Sequence, residues 1–283
     1  MGIRKKHQHH HAAFAGSEES KTLHKNLDFT ATEQYKLLRT NLGFTLPENE
    51  KCPVIGVTSS IRGEGKSTTS INLSYVLAEN GSKVLLIDGD LRLPSIAKKM
   101  ELEQKKGVTD FLMGKGGNID EFRSGLLDNW YIMPSGTIPP NPSELLGSLR
   151  MKALLDNLRE SFDYIILDLP PVNIVSDAMS VSRYITGMIV VAREEYMEKK
   201  ELKACFRQLE LSNVKVLGCV MSCAKRKGGA YGKYGRYKRY KYYGRYGRYG
   251  HYGRYGYGYG YGYGYGHAPE NQNPEQSGGD KKS

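Results

Sequence analysis

Val54-Ile55-Gly56-Val57-Thr58-Ser59-Ser60-Ile61-Arg62-Gly63-Glu64-Gly65-Lys66-Ser67-Thr68 decides the fold. Its apolar start reads as a buried strand over 54–58. The stretch that follows, closed by Gly81, reads as a helix over 66–80. A glycine-bearing loop ending Gly-Lys-Ser therefore stands between a strand and a helix N-terminus, the context in which a Walker A motif carries physical meaning. Gly63 and Gly65 let the backbone N–H groups of Gly63, Glu64, Gly65, Lys66, Ser67 and Thr68 close around phosphate oxygens, and the helix terminus adds positive potential. Lys66 is expected to reach the β- and γ-phosphates of ATP and Ser67 to ligate Mg2+. Ser60 stands at the motif's first glycine position.

Working outward, apolar runs alternate with helical stretches. Strands are predicted over 83–88, 130–133, 164–168, 188–192 and 216–221, and helices over 142–161 and 199–211. The Thr32–Leu42 segment reads as a short amphipathic helix ending before Pro47. This order is that of an α/β, doubly wound, mostly parallel sheet covered on both faces. Ligands of such sheets gather at the carboxyl ends of the strands. Two predicted strands end there in carboxylates: Leu85-Leu86-Ile87-Asp88-Gly89-Asp90-Leu91-Arg92 and Ile165-Ile166-Leu167-Asp168-Leu169-Pro170-Pro171. A magnesium held by phosphates keeps several waters and needs only one or two protein carboxylates, so Asp88 and Asp168 are the expected partners of Ser67.

Composition divides the chain of 283 residues. Six of its 21 tyrosines precede residue 225, and the other 15 lie between Tyr231 and Tyr265, interleaved with glycine and basic residues. Lys225 to His267 holds eleven Lys/Arg and no Asp/Glu, which equals the whole formal charge of +11. The basicity thus belongs to a tail, and the rest of the chain balances to zero. Repeats such as Tyr246-Gly247-Arg248-Tyr249-Gly250 offer no aliphatic core, so the tail is expected to be disordered. The organisation read from sequence is a mobile segment over 1–29, a P-loop domain over 30–224 and the tail over 225–283. Cys52, Cys205, Cys219 and Cys223 are too sparse for a disulfide framework and fit a reduced cytosolic setting. His7, His9, His10 and His11 form a small tract without the fixed geometry of a metal site. No run approaches the roughly 18 apolar residues of a membrane span.

On these residues the chain resembles the bacterial tyrosine kinases of capsule and exopolysaccharide synthesis, specifically the cytoplasmic kinase type that pairs with a separate membrane adaptor. The likeness covers roughly 30–225 and then the tyrosine tail. It rests on a Walker A loop ending Gly63-Glu64-Gly65-Lys66-Ser67, a second acidic strand end carrying Asp88, Asp90 and Arg92, and a Walker B strand ending Asp168-Leu169-Pro170-Pro171. Pro139-Pro140-Asn141-Pro142-Ser143-Glu144-Leu145-Leu146 and the early helix bearing Glu33, Lys36 and Arg39 add to it. Ser222 follows the last strand where many relatives have an asparagine that contacts adenine. Arg62 stands where they usually have proline, and Lys36 where they have arginine.

The resemblance implies an ATP:protein tyrosine phosphotransferase with Lys66, Asp88, Asp90 and Arg92 as catalytic residues. Asp88 would accept the tyrosine proton, and Asp90 would assist the metal or the substrate. It implies that Glu33, Lys36 and Arg39 face a neighbouring subunit in a ring-like homo-oligomer that offers one subunit's tail to the next active site. The phosphoacceptors would be Tyr231, Tyr234, Tyr237, Tyr240, Tyr242, Tyr243, Tyr246, Tyr249, Tyr252, Tyr255, Tyr257, Tyr259, Tyr261, Tyr263 and Tyr265. Further implied partners are the cytoplasmic segment of a polysaccharide co-polymerase, which would recruit the kinase to the inner face of the membrane, and a cognate tyrosine phosphatase.

Two other classes compete. Arginine beside tyrosine and glycine also suits single-stranded nucleic acid, by phosphate attraction and base stacking. A partition or septum-placement ATPase would use a similar fold to dimerise on ATP, but such proteins typically carry an extra lysine where Ile61 stands. Neither class accounts for the clustered tyrosines.

Overall fold

The computed structural model describes residues 27–103 and 106–224. Its framework is a six-stranded sheet in which every pairing is parallel. In chain order, helix α1 (Phe29–Thr45) precedes β1 (Val54–Ser59), α2 (Lys66–Glu79), β2 (Val84–Asp88), α3 (Ile96–Met100) and α4 (Val108–Leu112). Then come β3 (Trp130–Met133), α5 (Pro142–Leu146), α6 (Leu149–Arg159), β4 (Tyr164–Asp168), α7 (Asp177–Val181), β5 (Gly187–Arg193), α8 (Lys199–Leu211) and β6 (Val216–Ser222).

Strand residues alternate between two apolar layers, because successive side chains of a strand point to opposite faces. Val54, Leu85, Ile87, Ile165, Leu167, Met188 and Val190 pack on one face with residues of α4 to α8. Ile55, Val57, Val84, Leu86, Ile166, Ile189 and Val191 pack on the other with α1, α2 and α3. Burial on both faces explains why β1 to β5 read as continuous apolar runs, whereas the edge strand β6 is largely exposed.

The spatial order is β3-β2-β4-β1-β5-β6. From β1 the chain crosses through α2 to β2, whereas from β4 it crosses through α7 to β5, so adjacent strands send their connections in opposite directions. The crevice above the carboxyl ends of β1 and β4 is the topological switch point where such sheets bind ligands.

Two sequence expectations are corrected. The helix over 142–161 is two helices, because Ser148 starts a new one: its hydroxyl accepts from Met151 N at 3.2 Å and donates to Leu145 O at 2.7 Å. Gly147 at the break lies against Ser180 of α7, where a Cβ would approach the serine side chain to 3.2 Å. The first helix is longer than 32–42, because Asp28 caps it by accepting from Ala31 N at 2.8 Å. Among the described residues no helix is long and apolar enough to cross a membrane.

Candidate nucleotide and phosphoryl-transfer site

The loop from β1 to α2 takes its shape from two glycines. Gly63 has φ 81° and Gly65, the N-cap of α2, has φ 93°, a left-handed region that other residues enter at a cost. These turns leave the N-terminal N–H groups of α2 directed at the switch-point crevice, a cradle suited to phosphate oxygens.

Register places the acids. Asp88 of β2 is paired directly with Asp168 of β4, so two carboxylates stand side by side at the strand ends. Gly89 permits this closeness. Its N–H donates to Asp168 O at 2.8 Å, and a Cβ there would lie 2.9 Å from that same oxygen.

Lys66 Nζ sits 2.8 Å from Asp90 Oδ2 and 3.5 Å from Asp168 Oδ2. Ser70 donates to Asp168 Oδ1 at 3.0 Å, and Lys66 lies 3.3 Å from the Ser67 hydroxyl. Asp88 makes no ion pair among the described residues. Its Oδ2 accepts from Ser95 N and Ile96 N at 3.0 and 2.9 Å, and its Oδ1 from Asp90 N at 3.3 Å. The structure therefore brings Lys66, Ser67, Asp88, Asp90 and Asp168 into one cluster.

All three carboxylates are buried, and among the described residues Lys66 is the ammonium that pairs with Asp90 and Asp168. Burial, then the charge of Asp168, pushes the Asp88 carboxyl up to about 7, against the lowering effect of the Ile96 N–H and Lys66. Burial also raises Asp168, opposed chiefly by Lys66 and by hydrogen bonds from Ser67 and Ser70. Lys66 is raised: burial opposes its charge, but Asp168 and Asp90 favour it. An excess of buried negative charge beside a hydroxyl and a phosphate cradle fits a divalent cation carried in on a nucleotide. Among the described residues no three His, Cys, Asp or Glu side chains form a ready metal cage. A phosphate-bound magnesium does not require one.

Arg92 is gripped by a residue that sequence reading passed over. Its guanidinium donates to both oxygens of Asp177 at 2.8 and 3.0 Å, and the Asp177 side chain is 0% exposed. Nothing in the contiguous sequence announces this pairing across 85 positions. Ser222 stands where many relatives have an asparagine that contacts adenine, a departure that leaves base recognition open. Its hydroxyl donates to Glu64 O at 2.6 Å, which bolts the end of β6 to the phosphate loop.

On α1, Glu33 and Lys36 pair with each other at 3.0 Å and remain 45% and 39% exposed. Arg39 turns inward and donates to Val76 O of α2 at 2.8 Å. The tail tyrosines from Tyr231 to Tyr265, the histidine tract and the segment 1–26 lie outside the described residues.

A parallel sheet with a phosphate loop leaving its switch point defines a P-loop nucleotide-binding protein. The AAA domain family matches residues 52–216. Tyrosine-protein kinase CpsD of Streptococcus pneumoniae serotype 4 is 36% identical over 174 residues, which span 61% of this chain and 77% of the relative. Tyrosine-protein kinase YwqD of Bacillus subtilis is 37% identical over 177 residues, spanning 62% and 75% of the two chains. The kinase domain of the Escherichia coli tyrosine kinase ETK superposes with a TM-score of 0.63 at 31% identity, over 71% of this chain and 80% of that one. The chain belongs to the AAA-domain family and, within it, to the bacterial tyrosine-protein kinases.

Proposed function

We propose that this chain is an ATP-dependent tyrosine autokinase that phosphorylates its own C-terminal tyrosines between subunits and thereby regulates capsular or exopolysaccharide synthesis. One observation carries the reading. A buried Lys66–Asp90–Asp168–Asp88 cluster stands at a phosphate cradle, on a chain that also holds 15 clustered tyrosines.

The loop N–H groups from Gly63 to Thr68 would hold the phosphates, and Lys66 would leave Asp90 and Asp168 to offset charge on the transferred phosphoryl group. Ser67 with Asp88 or Asp168 would hold magnesium, which supplies further charge neutralisation when bound. Asp88 would take the proton from an incoming phenol; its lying outside the ion pairs of Lys66 supports this reading. Asp90 lets go of Lys66 and serves substrate or metal placement. Arg92, held by Asp177, keeps a fixed cation at the rim.

Glu33 and Lys36, exposed on α1, together with Arg39 would face a neighbouring copy. The cytoplasmic segment of a polysaccharide co-polymerase would bring the kinase to the membrane and complete its active state. A cognate tyrosine phosphatase would reset the tail.

The test is purified chain with Mg-ATP, with and without the adaptor's cytoplasmic peptide, probed for phosphotyrosine beside Lys66→Met. Signal in the wild type alone supports the reading. ATP binding with no phosphotyrosine under any condition would replace it with a nucleotide switch.

A further inference from the structure

Glu64 carries an acidic side chain inside a loop meant for phosphate, yet it is 0% exposed. A buried carboxylate is tolerated when hydrogen bonds replace its water, and here they do. Its Oε2 accepts from the Ser60 hydroxyl at 2.8 Å and from Ile61 N at 2.8 Å. Its Oε1 faces Arg193 N of β5 at 3.4 Å. The backbone on either side is held as well: Ser222 of β6 donates to Glu64 O at 2.6 Å, and the Arg193 guanidinium donates to Gly63 O at 3.3 Å. The side chain is therefore directed at the loop's own first turn and at β5, and its charge reaches the buried Cys205 on α8.

We infer that Glu64 is a positioning residue for nucleotide binding, a brace that holds the first half of the phosphate loop open through Ser60 and takes over the task of the glycine that Ser60 replaces. Its side chain is turned away from the phosphate cradle, toward Ser60, Ile61 and β5. A loop with glycine at its first position turns there because the backbone is free to. This loop turns there because a hydroxyl and an N–H are pinned to one carboxylate oxygen four residues on. Ser60 and Glu64 form one unit, and the serine is needed because the glutamate is present. Ties to β5 and β6 then fix that unit to the sheet, so the cradle is shaped before nucleotide arrives, and binding avoids the ordering of a mobile loop.

The inference rests on the site being an ATP site, and the experiment separates the two. ATP affinity is measured by titration calorimetry on the full chain with magnesium, well below each variant's melting temperature. The variants are Glu64→Ala, Glu64→Gln and Ser60→Gly. Glu64→Ala is expected to weaken ATP at least tenfold. Glu64→Gln, whose amide oxygen can take both the Ser60 and Ile61 hydrogens, is expected to recover at least fivefold of that loss. Ser60→Gly is expected to weaken ATP three- to tenfold although it restores the usual motif.

A purely structural role would lower melting temperatures and leave these affinities in place. ATP binding by Glu64→Ala within threefold of wild type, or tighter binding by Ser60→Gly, overturns the inference. If Glu64→Ala fails to fold, the Ser60→Gly result decides by the same criterion. No ATP binding by the wild type sinks the nucleotide site itself and the inference with it.

Discussion

The guanidinium of Arg92 holds the carboxylate of Asp177 through two nearly parallel hydrogen bonds, Nε to Oδ2 at 2.8 Å and Nη2 to Oδ1 at 3.0 Å. The arginine is 42% exposed and the aspartate 0%. The loop after β2 is thereby fastened to α7, the helix that follows the Walker B strand. A planar fork matches a carboxylate in a way that lysine cannot.

Arg92→Ala should therefore destabilise the fold by ~2–4 kcal/mol, because it strands a buried charge, and Arg92→Lys should restore only part of this. Replacing both residues by alanine should cost less than Arg92→Ala alone. Urea melts of the four proteins measure the coupling, and a coupling near zero would show that Asp177 finds another partner.

Asp88 sets a pH dependence. Its folded carboxyl lies at about 7 against an ordinary 3.8, raised first by burial. Between those values the folded state binds the proton more tightly than the unfolded chain does, so nucleotide-free protein should lose stability as pH rises from about 4 through about 7. Asp88→Asn removes that titration. It should be more stable than wild type by on the order of 2–4 kcal/mol at pH 8, with the advantage shrinking as pH falls toward 4. Thermal melts across pH without magnesium or nucleotide check the sign. An advantage that grows on acidification would refute it.

Lys66 is the ammonium within ion-pair distance of Asp90 and Asp168. Lys66→Met should lower phosphoryl transfer by ~10²–10³-fold. It should also leave the buried carboxyls of Asp90 and Asp168 without their cation, so its apo melting temperature should fall faster with rising pH than that of wild type. Radiolabel transfer and melts read the two effects separately.

The helix α1 carries two kinds of charge. Glu33 and Lys36 pair on the exposed face, whereas Arg39 caps a carbonyl near the end of α2. Glu33→Ala with Lys36→Ala should change fold stability by less than ~1 kcal/mol while shifting the oligomer distribution in light scattering. Arg39→Ala should lower the melting temperature as well. An unchanged oligomer in both would remove α1 from the interface.

The tail's charge gives a countable outcome. Each phosphotyrosine adds about −1.5 to −2 charges at pH 7, so about six or seven events should neutralise its eleven basic residues. Intact-mass and peptide mass spectrometry after ATP incubation should find phosphate between Tyr231 and Tyr265. A clean tail beside an active enzyme would point to external substrates instead.

Much of this architecture was legible because its signals are local. A strand buried on both faces needs an apolar run, and 54–57 and 165–167 show one, whereas 216–221 reads the same way although the edge strand β6 is largely exposed. Asp88, Asp168 and the Gly63–Thr68 loop could be placed at strand ends because each adjoins the run that positions it. The helix break at Ser148 was missed because its cap competes with strong helical periodicity on both sides. The short helices α3, α4 and α7 were missed because five residues do not establish a period.

Sequence by itself determined the alternation of strand and helix, the phosphate loop with its lysine and serine, and the separation of a neutral body from a basic tyrosine tail. Each is written in contiguous residues whose chemistry is fixed locally. Tertiary structure alone decided that Asp88 and Asp168 stand in register, that Asp177 holds Arg92 and that Glu64 turns inward to Ser60. It also decided that Ser222 and Arg193 bind the phosphate loop from β6 and β5. Those relations depend on strand order and on which hydrogen bonds replace water at buried polar atoms. A linear chain does not state either one, because the partners meet only after the sheet has assembled.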